Sequence, residues 1–139
     1  MSPPFKLAMI DHVVLRVADL AASMRFYRDI LGFPLAHSNE EAGLHQFRAG
    51  ASMIDLVALD GRIGRAGGAT VTQENRNMDH FAVTLAEYDE PAIIAHLEGF
   101  GVKPYGSAKR FGAEGRGTSI LVTDPDGNTV ELKGPADEI

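Results

Sequence analysis

The chain has 139 residues, 13 basic against 19 acidic side chains for a net charge of −6, 45% hydrophobic residues and no cysteine. That fits one folded domain with a real core rather than a disordered segment, and the acidic balance speaks against nucleic-acid and anionic-membrane partners. The missing thiols exclude disulfides, thiolate metal sites and cysteine nucleophiles and suit a cytoplasmic setting, and the sequence predicts neither an export segment in residues 1–10 nor a membrane span of ~20 apolar residues.

The first predicted element is a strand over Ile10–Val17, alternating and rich in β-branched residues. A helix follows, capped by Asp19, with Leu20, Phe26, Tyr27, Ile30 and Leu31 as its apolar face and Gly32 as its stop. Strands are expected at Phe33–His37, Leu44–Arg48 and Ser52–Leu59, the last two parted at Gly50-Ala51. Asp60 to Asn77 has no clear period and reads as a connector. Its Gly64-Arg65-Ala66-Gly67-Gly68 is no phosphate loop, since it lacks the lysine and the following helix.

The pattern then repeats. Ile10-Asp11-His12-Val13-Val14-Leu15 returns as Met78-Asp79-His80-Phe81-Ala82-Val83, 68 residues later. A second helix is capped by Asp89, carries Pro91 in its first turn, buries Ile93, Ile94 and Leu97, and stops at Gly99 and Gly101. Strands follow at Val102–Tyr105, Ser119–Thr123 and Thr129–Lys133, with a turn at Asp124-Pro125-Asp126-Gly127-Asn128. Each half reads β-α-β-β-β. A single domain over 1–139 is expected, with module 1 at about 8–60, connector 61–76 and module 2 at about 77–134. Neither half can easily bury enough surface alone, so the two should pack together or against another chain.

Side chains two apart along a strand share a face. Val13, Leu15 and Val17 suit the helix side, which leaves His12 opposite with Val14 and Arg16. Phe81, Val83 and Leu85 leave His80 in the same position. Glu131 lies between Val130 and Leu132, and Asp55 between Ile54 and Leu56, so both carboxylates share the face of the histidines. A charged group among aliphatics is costly unless paired or metal-bound. Two imidazoles with one or two carboxylates form a divalent-metal set suited to Fe(II), Mn, Co, Ni or Zn. Asp11 and Asp79 fall at strand starts, where turn or strand-end roles are expected.

These segments, with Phe26-Tyr27-Arg28-Asp29-Ile30-Leu31-Gly32-Phe33 and Asp124–Leu132, resemble the vicinal oxygen chelate superfamily, the glyoxalase / bleomycin resistance / dioxygenase family. The resemblance runs from about Met9 to Gly134. It implies an α+β glyoxalase-like fold, two βαβββ modules curling into a cup-like half-barrel around one divalent metal ion. It carries the ligand roles onto His12, His80 and Glu131, with Asp55 where glyoxalase I-like members place a fourth, glutamate ligand. Glu131 would also be the catalytic base, shuttling a proton between adjacent carbons.

The implied activity is that of an isomerase or lyase on a small α-carbonyl substrate. One alternative is an extradiol Fe(II) dioxygenase, for which His45 is the candidate acid/base. Another is a metal-free drug- or metabolite-binding resistance protein, a class that usually lacks the metal set. Val14, two after His12, stands where fosfomycin-resistance transferases carry a polar residue, which argues against that branch. Arg16, together with Arg110 and Arg116 in Lys109–Gly117, is a candidate for substrate binding; that segment otherwise reads as a solvated loop. The resemblance also implies a homodimer in which His12 of one chain meets His80 and Glu131 of the other.

Overall fold

The computed structural model describes residues 3–4, 6–69, 72 and 74–137; residues 70, 71 and 73 of the expected connector lie outside them. The chain runs β1 (His12–Val17), α1 (Leu20–Met24) continuing into a π-helical segment (Arg25–Ile30), β2 (Leu35–Asn39), β3 (Leu44–Ala49) and β4 (Ser52–Ala58). After the short α2 (Arg62–Arg65) come β5 (His80–Thr84), α3 (Glu90–Gly99), β6 (Tyr105–Gly112), β7 (Gly115–Thr123) and β8 (Thr129–Lys133). The fold is α+β, two βαβββ units each closing a four-stranded mixed sheet, in the orders β1-β4-β3-β2 and β5-β8-β7-β6. In each sheet the first strand lies parallel to the last and the remaining pairs are antiparallel.

The helix starts follow from side-chain capping. Asp19 accepts from Ala22 N at 3.0 Å and Asp89 from Ala92 N at 3.2 Å, each satisfying a first-turn N–H that has no partner inside its helix. Gly32 ends the first helical stretch at φ +80° and Gly101 follows the second at φ +77°, backbone that a side chain would strain.

The strand expected at Val102–Tyr105 instead runs Tyr105–Gly112 as β6, the connector holds the short α2, and two further features depart from the expectation. The first helix widens to π geometry, with Leu31 N donating to Phe26 O at 2.9 Å, and Phe26, Tyr27 and Ile30 all buried. The segment Lys109–Gly117, expected as a loop, is a hairpin. Lys109 pairs with Thr118, Arg110 with Gly117 and Gly112 with Gly115. Glycines at 106, 112, 115 and 117 remove the side chains whose alternation would have announced the two strands.

The helix-side faces of both sheets share one core. Leu15, Val17, Phe47, Ile54 and Leu56 from the first join Ile120, Val122, Val130 and Leu132 from the second. Tyr27 is wholly buried at the join. Its ring stacks on Phe81 with centroids 6.4 Å apart, and its hydroxyl donates to Asp124 Oδ2 at 2.6 Å. Asp126, in the same turn, accepts from Ala18 N at 2.8 Å and Ser23 Oγ at 3.2 Å. The modules therefore pack helix side to helix side, and their other faces look away from the shared core. No helix among the described residues is long and apolar enough to cross a membrane.

Candidate metal centre

The two sheets present the same arrangement. In the first, Val14 is level with Asp55 and His12 with Met53, so His12 and Asp55 are diagonal neighbours on one face. In the second, Ala82 is level with Glu131 and His80 with Thr129, which repeats the diagonal. His12 Nε2 lies 3.9 Å from Asp55 Oδ2, and His80 Nε2 lies 3.2 Å from Glu131 Oε1. The carboxylates are buried mid-strand while the imidazoles stay open, with side chains 45% and 41% exposed.

Each imidazole is held from behind. His12 Nδ1 bonds Asp11 Oδ2 at 2.7 Å and His80 Nδ1 bonds Asp79 Oδ2 at 2.8 Å. Engaging Nδ1 with a carboxylate places the proton there and turns Nε2 toward the buried acid, the arrangement metal-ligating histidines commonly use. The hydrogen bond His12 donates to Asp11, followed by the charge of Asp55, raises the His12 pKa above its ordinary value. Asp11 and Asp79 are thus partners of the histidines as well as strand-start residues. The repeated Asp-His dipeptide was the signal for them, but alternation alone sends adjacent residues to opposite faces.

Asp55 carries the most telling detail. Its Oδ2 accepts from Gln46 Nε2 at 3.0 Å, and Gln46 Oε1 in turn meets His37 Nδ1 at 3.1 Å. Its Oδ1 is buried and has no hydrogen-bond partner among the described residues. A carboxylate oxygen shut from water without a donor is costly, and a cation relieves that cost. Two imidazole Nε2 atoms and two carboxylates form a nitrogen and oxygen donor set that fits a divalent ion with room left for substrate. Within one chain, however, the pairs belong to faces that point apart. Among the described residues no three of His, Cys, Asp and Glu gather at one point.

The other candidates are placed as follows. Arg16 donates through Nε to Gly64 O at 3.0 Å and through its two terminal nitrogens to Ala69 O and Gly68 O, so its guanidinium holds the connector. Arg110 lies on the face of Glu131 and donates to Ser119 Oγ at 2.8 Å. Arg116, one residue out of phase with Gly117, belongs to the opposite face and is exposed. His45 is level with Leu56 on the core side, buried, with Nδ1 3.1 Å from Ser38 Oγ. It cannot serve as the acid/base group of a dioxygenase at this centre. Lys133, buried on the face of Glu131, is a residue that reading the sequence passed over.

Comparison with known proteins places these features in context. The family model described as Glyoxalase/Bleomycin resistance protein/Dioxygenase superfamily matches residues 9–132. The glutathione transferase FosA of Serratia marcescens is 29% identical over 126 residues, 91% of this chain and 80% of that protein. Virulence protein STM3117 of Salmonella typhimurium is 27% identical over 128 residues, covering 88% of this chain and 81% of that one. The solved structure of VPC_CASS1, from the mobile metagenome of V. Pseudocholerae, superposes with a TM-score of 0.72 at 27% identity, over 96% of this chain and 98% of that one.

Proposed function

Since the chain belongs to the Glyoxalase/Bleomycin resistance protein/Dioxygenase superfamily, we propose that it is a metal-dependent enzyme of the glyoxalase type, an isomerase or lyase acting on a small substrate with neighbouring oxygens beside a carbonyl. The observation that carries this reading is the orphaned Oδ1 of Asp55 beside His12, matched by the His80–Glu131 pair on the second sheet.

His12, His80 and Glu131 hold the ion, with Asp55 as the fourth ligand. A divalent ion held there would supply Lewis acidity to the substrate oxygens, so that the adjacent C–H would become acidic. Glu131 then removes that proton and returns it to the neighbouring carbon. It is suited to the task because its carboxylate is almost wholly buried and, among the described residues, pairs with His80 Nε2, so little water competes for the proton. Asp11 and Asp79 keep the imidazoles turned inward throughout.

The complete centre is formed between two copies of the chain. His12 and Asp55 of one protomer meet His80 and Glu131 of its partner, and a two-fold pairing makes two such centres. The support is the opposed direction of the two faces and the apolar surface left open beside them, Ile10 at 71% and Val14 at 45% exposure. Val14 also gives the centre an aliphatic wall two residues after His12, which favours proton transfer over the glutathione transfer named for the Serratia relative.

The test is elemental analysis of protein purified anaerobically without added metal, followed by assay with methylglyoxal and a thiol. Nickel, cobalt, zinc or manganese, lost in H80A, with isomerase turnover, is the expected result. Iron with oxygen-dependent catechol cleavage would move the assignment to a dioxygenase. No metal after reconstitution, with tight binding of an unchanged ligand, would make the chain a binding protein.

A further inference from the structure

Lys133 plays no part in the centre described above, yet it is buried on the same face. It is level with Ser119 across β7–β8 and follows Glu131 by two residues, about 6.6 Å along the strand. Its stem fills space that glycines leave vacant. A Cβ on Gly112 would stand 3.0 Å from Lys133 Cε, and one on Gly117 would stand 3.3 Å from Nζ. The residue is only 6% exposed.

The nitrogen at the end of this stem is poorly matched. A lysine head carries three donors, and here Nζ donates to Gly115 O at 3.1 Å. Among the described residues it forms no ion pair; the carboxylate on its own strand, Glu131, is turned to His80 instead. Arg110 approaches the same spot, giving Nη1 to Ser119 Oγ at 2.8 Å and to Ser119 O at 3.2 Å. Two cations therefore flank Ser119, and among the described residues Asp137, the acid that feels the charge of Lys133, makes its ion pair with Lys109 instead. Burying a cation without a direct ion pair is costly. A hairpin staple alone would not need the charge, because methionine fills the same space without it.

We propose that Lys133, flanked by Arg110, binds an anionic group of the substrate, a carboxylate or a phosphate, one strand step from Glu131. On the reading of the site given above, the substrate then carries a carboxylate or a phosphate close to its neighbouring oxygens, as the adduct of methylglyoxal with a carboxylate-bearing thiol does. The anion is held by Lys133 while the carbon that exchanges its proton lies at Glu131. The anion site itself does not depend on the metal.

The test uses the full chain with K6R, K103R and K109R, leaving Lys133 as the one 13C-labelled lysine. Inorganic phosphate and acetate are titrated separately at constant ionic strength, on protein as purified and again after chelation. The proposal expects a saturable shift of the Lys133 13Cε signal with at least one of the two anions, retained after chelation, and the tighter anion identifies the group recognised. Calorimetry on K133M in the otherwise unaltered chain should show affinity lowered roughly tenfold or more, at a melting temperature no lower than that of the unaltered chain. No saturable shift with either anion, or unchanged affinity in K133M, overturns it. Should K133M fail to fold, the signal of Lys133 itself decides. Saturable anion binding to a chain that takes up no metal would sink the metal-dependent reading and leave this one standing.

Discussion

Gln46 and Asp55 are joined by a hydrogen bond of 3.0 Å from Nε2 to Oδ2, and that bond decides which oxygen of Asp55 is left free. The two residues are level on adjacent strands, so the contact is built into the sheet. His37 fixes the amide from the other side by meeting Oε1 at 3.1 Å. Gln46 is therefore a positioning residue for a ligand. Q46L should keep the fold but lower affinity for cobalt or zinc about 10–100-fold, as loss of an outer hydrogen bond commonly does. Competition with a chelator measures it, and unchanged affinity would mean that Asp55 does not coordinate.

Tyr27 ties the two modules through a buried hydroxyl. Burial, and then the charge of Asp124, push its pKa far above the ordinary tyrosine value, so it stays a donor. Y27F removes the donor to Asp124 Oδ2 but leaves the bond from Asn128 Nδ2 at 3.0 Å. The expected loss is about 1–3 kcal/mol in denaturant unfolding, with the slope unchanged. A lowered slope would instead indicate that the modules unfold separately.

Glu90 links α3 to β6. Hydrogen bonds from Ser107 at 2.6 Å and Tyr88 at 2.7 Å, in that order of effect, hold its carboxyl below the ordinary value of 4.5. A depressed folded pKa gives stability that is fully present above the unfolded value and is lost as pH falls through the folded one. The difference in melting temperature between wild type and E90Q should hold from pH 7 down to pH ~5, then shrink as the solution becomes more acid. A difference that never shrinks over the acid range in which both proteins stay folded would show that the charge of Glu90 contributes nothing.

Much of this arrangement is legible in the residue order. The doubled Asp-His dipeptide marks the two edge strands, and alternation puts Asp55 and Glu131 on the faces of His12 and His80. Caps at Asp19 and Asp89 start helices as expected. What alternation cannot express is how one sheet stands against another, so the separation of the two pairs within a chain is visible only in the fold. The β6–β7 hairpin was masked by its glycines, and His45 by its place in a segment whose other polar residues, Gln46 and Arg48, take the site face. Lys133 was masked differently: its type suggests an exposed strand end, and only the vacancy left by Gly112 and Gly117 accounts for its burial.

Whether two chains complete each metal centre is decided by mixed dimers. H12A and H80A are each purified, confirmed to take up no metal, then unfolded together and refolded as a mixture. A shared centre predicts that metal uptake returns, because a dimer of one H12A and one H80A chain keeps one centre with both histidines and loses the other. Refolding either variant alone should restore nothing. If the mixture also stays metal-free while sedimenting as a dimer, the ligands do not meet across the two-fold axis, and the account of the centre is wrong.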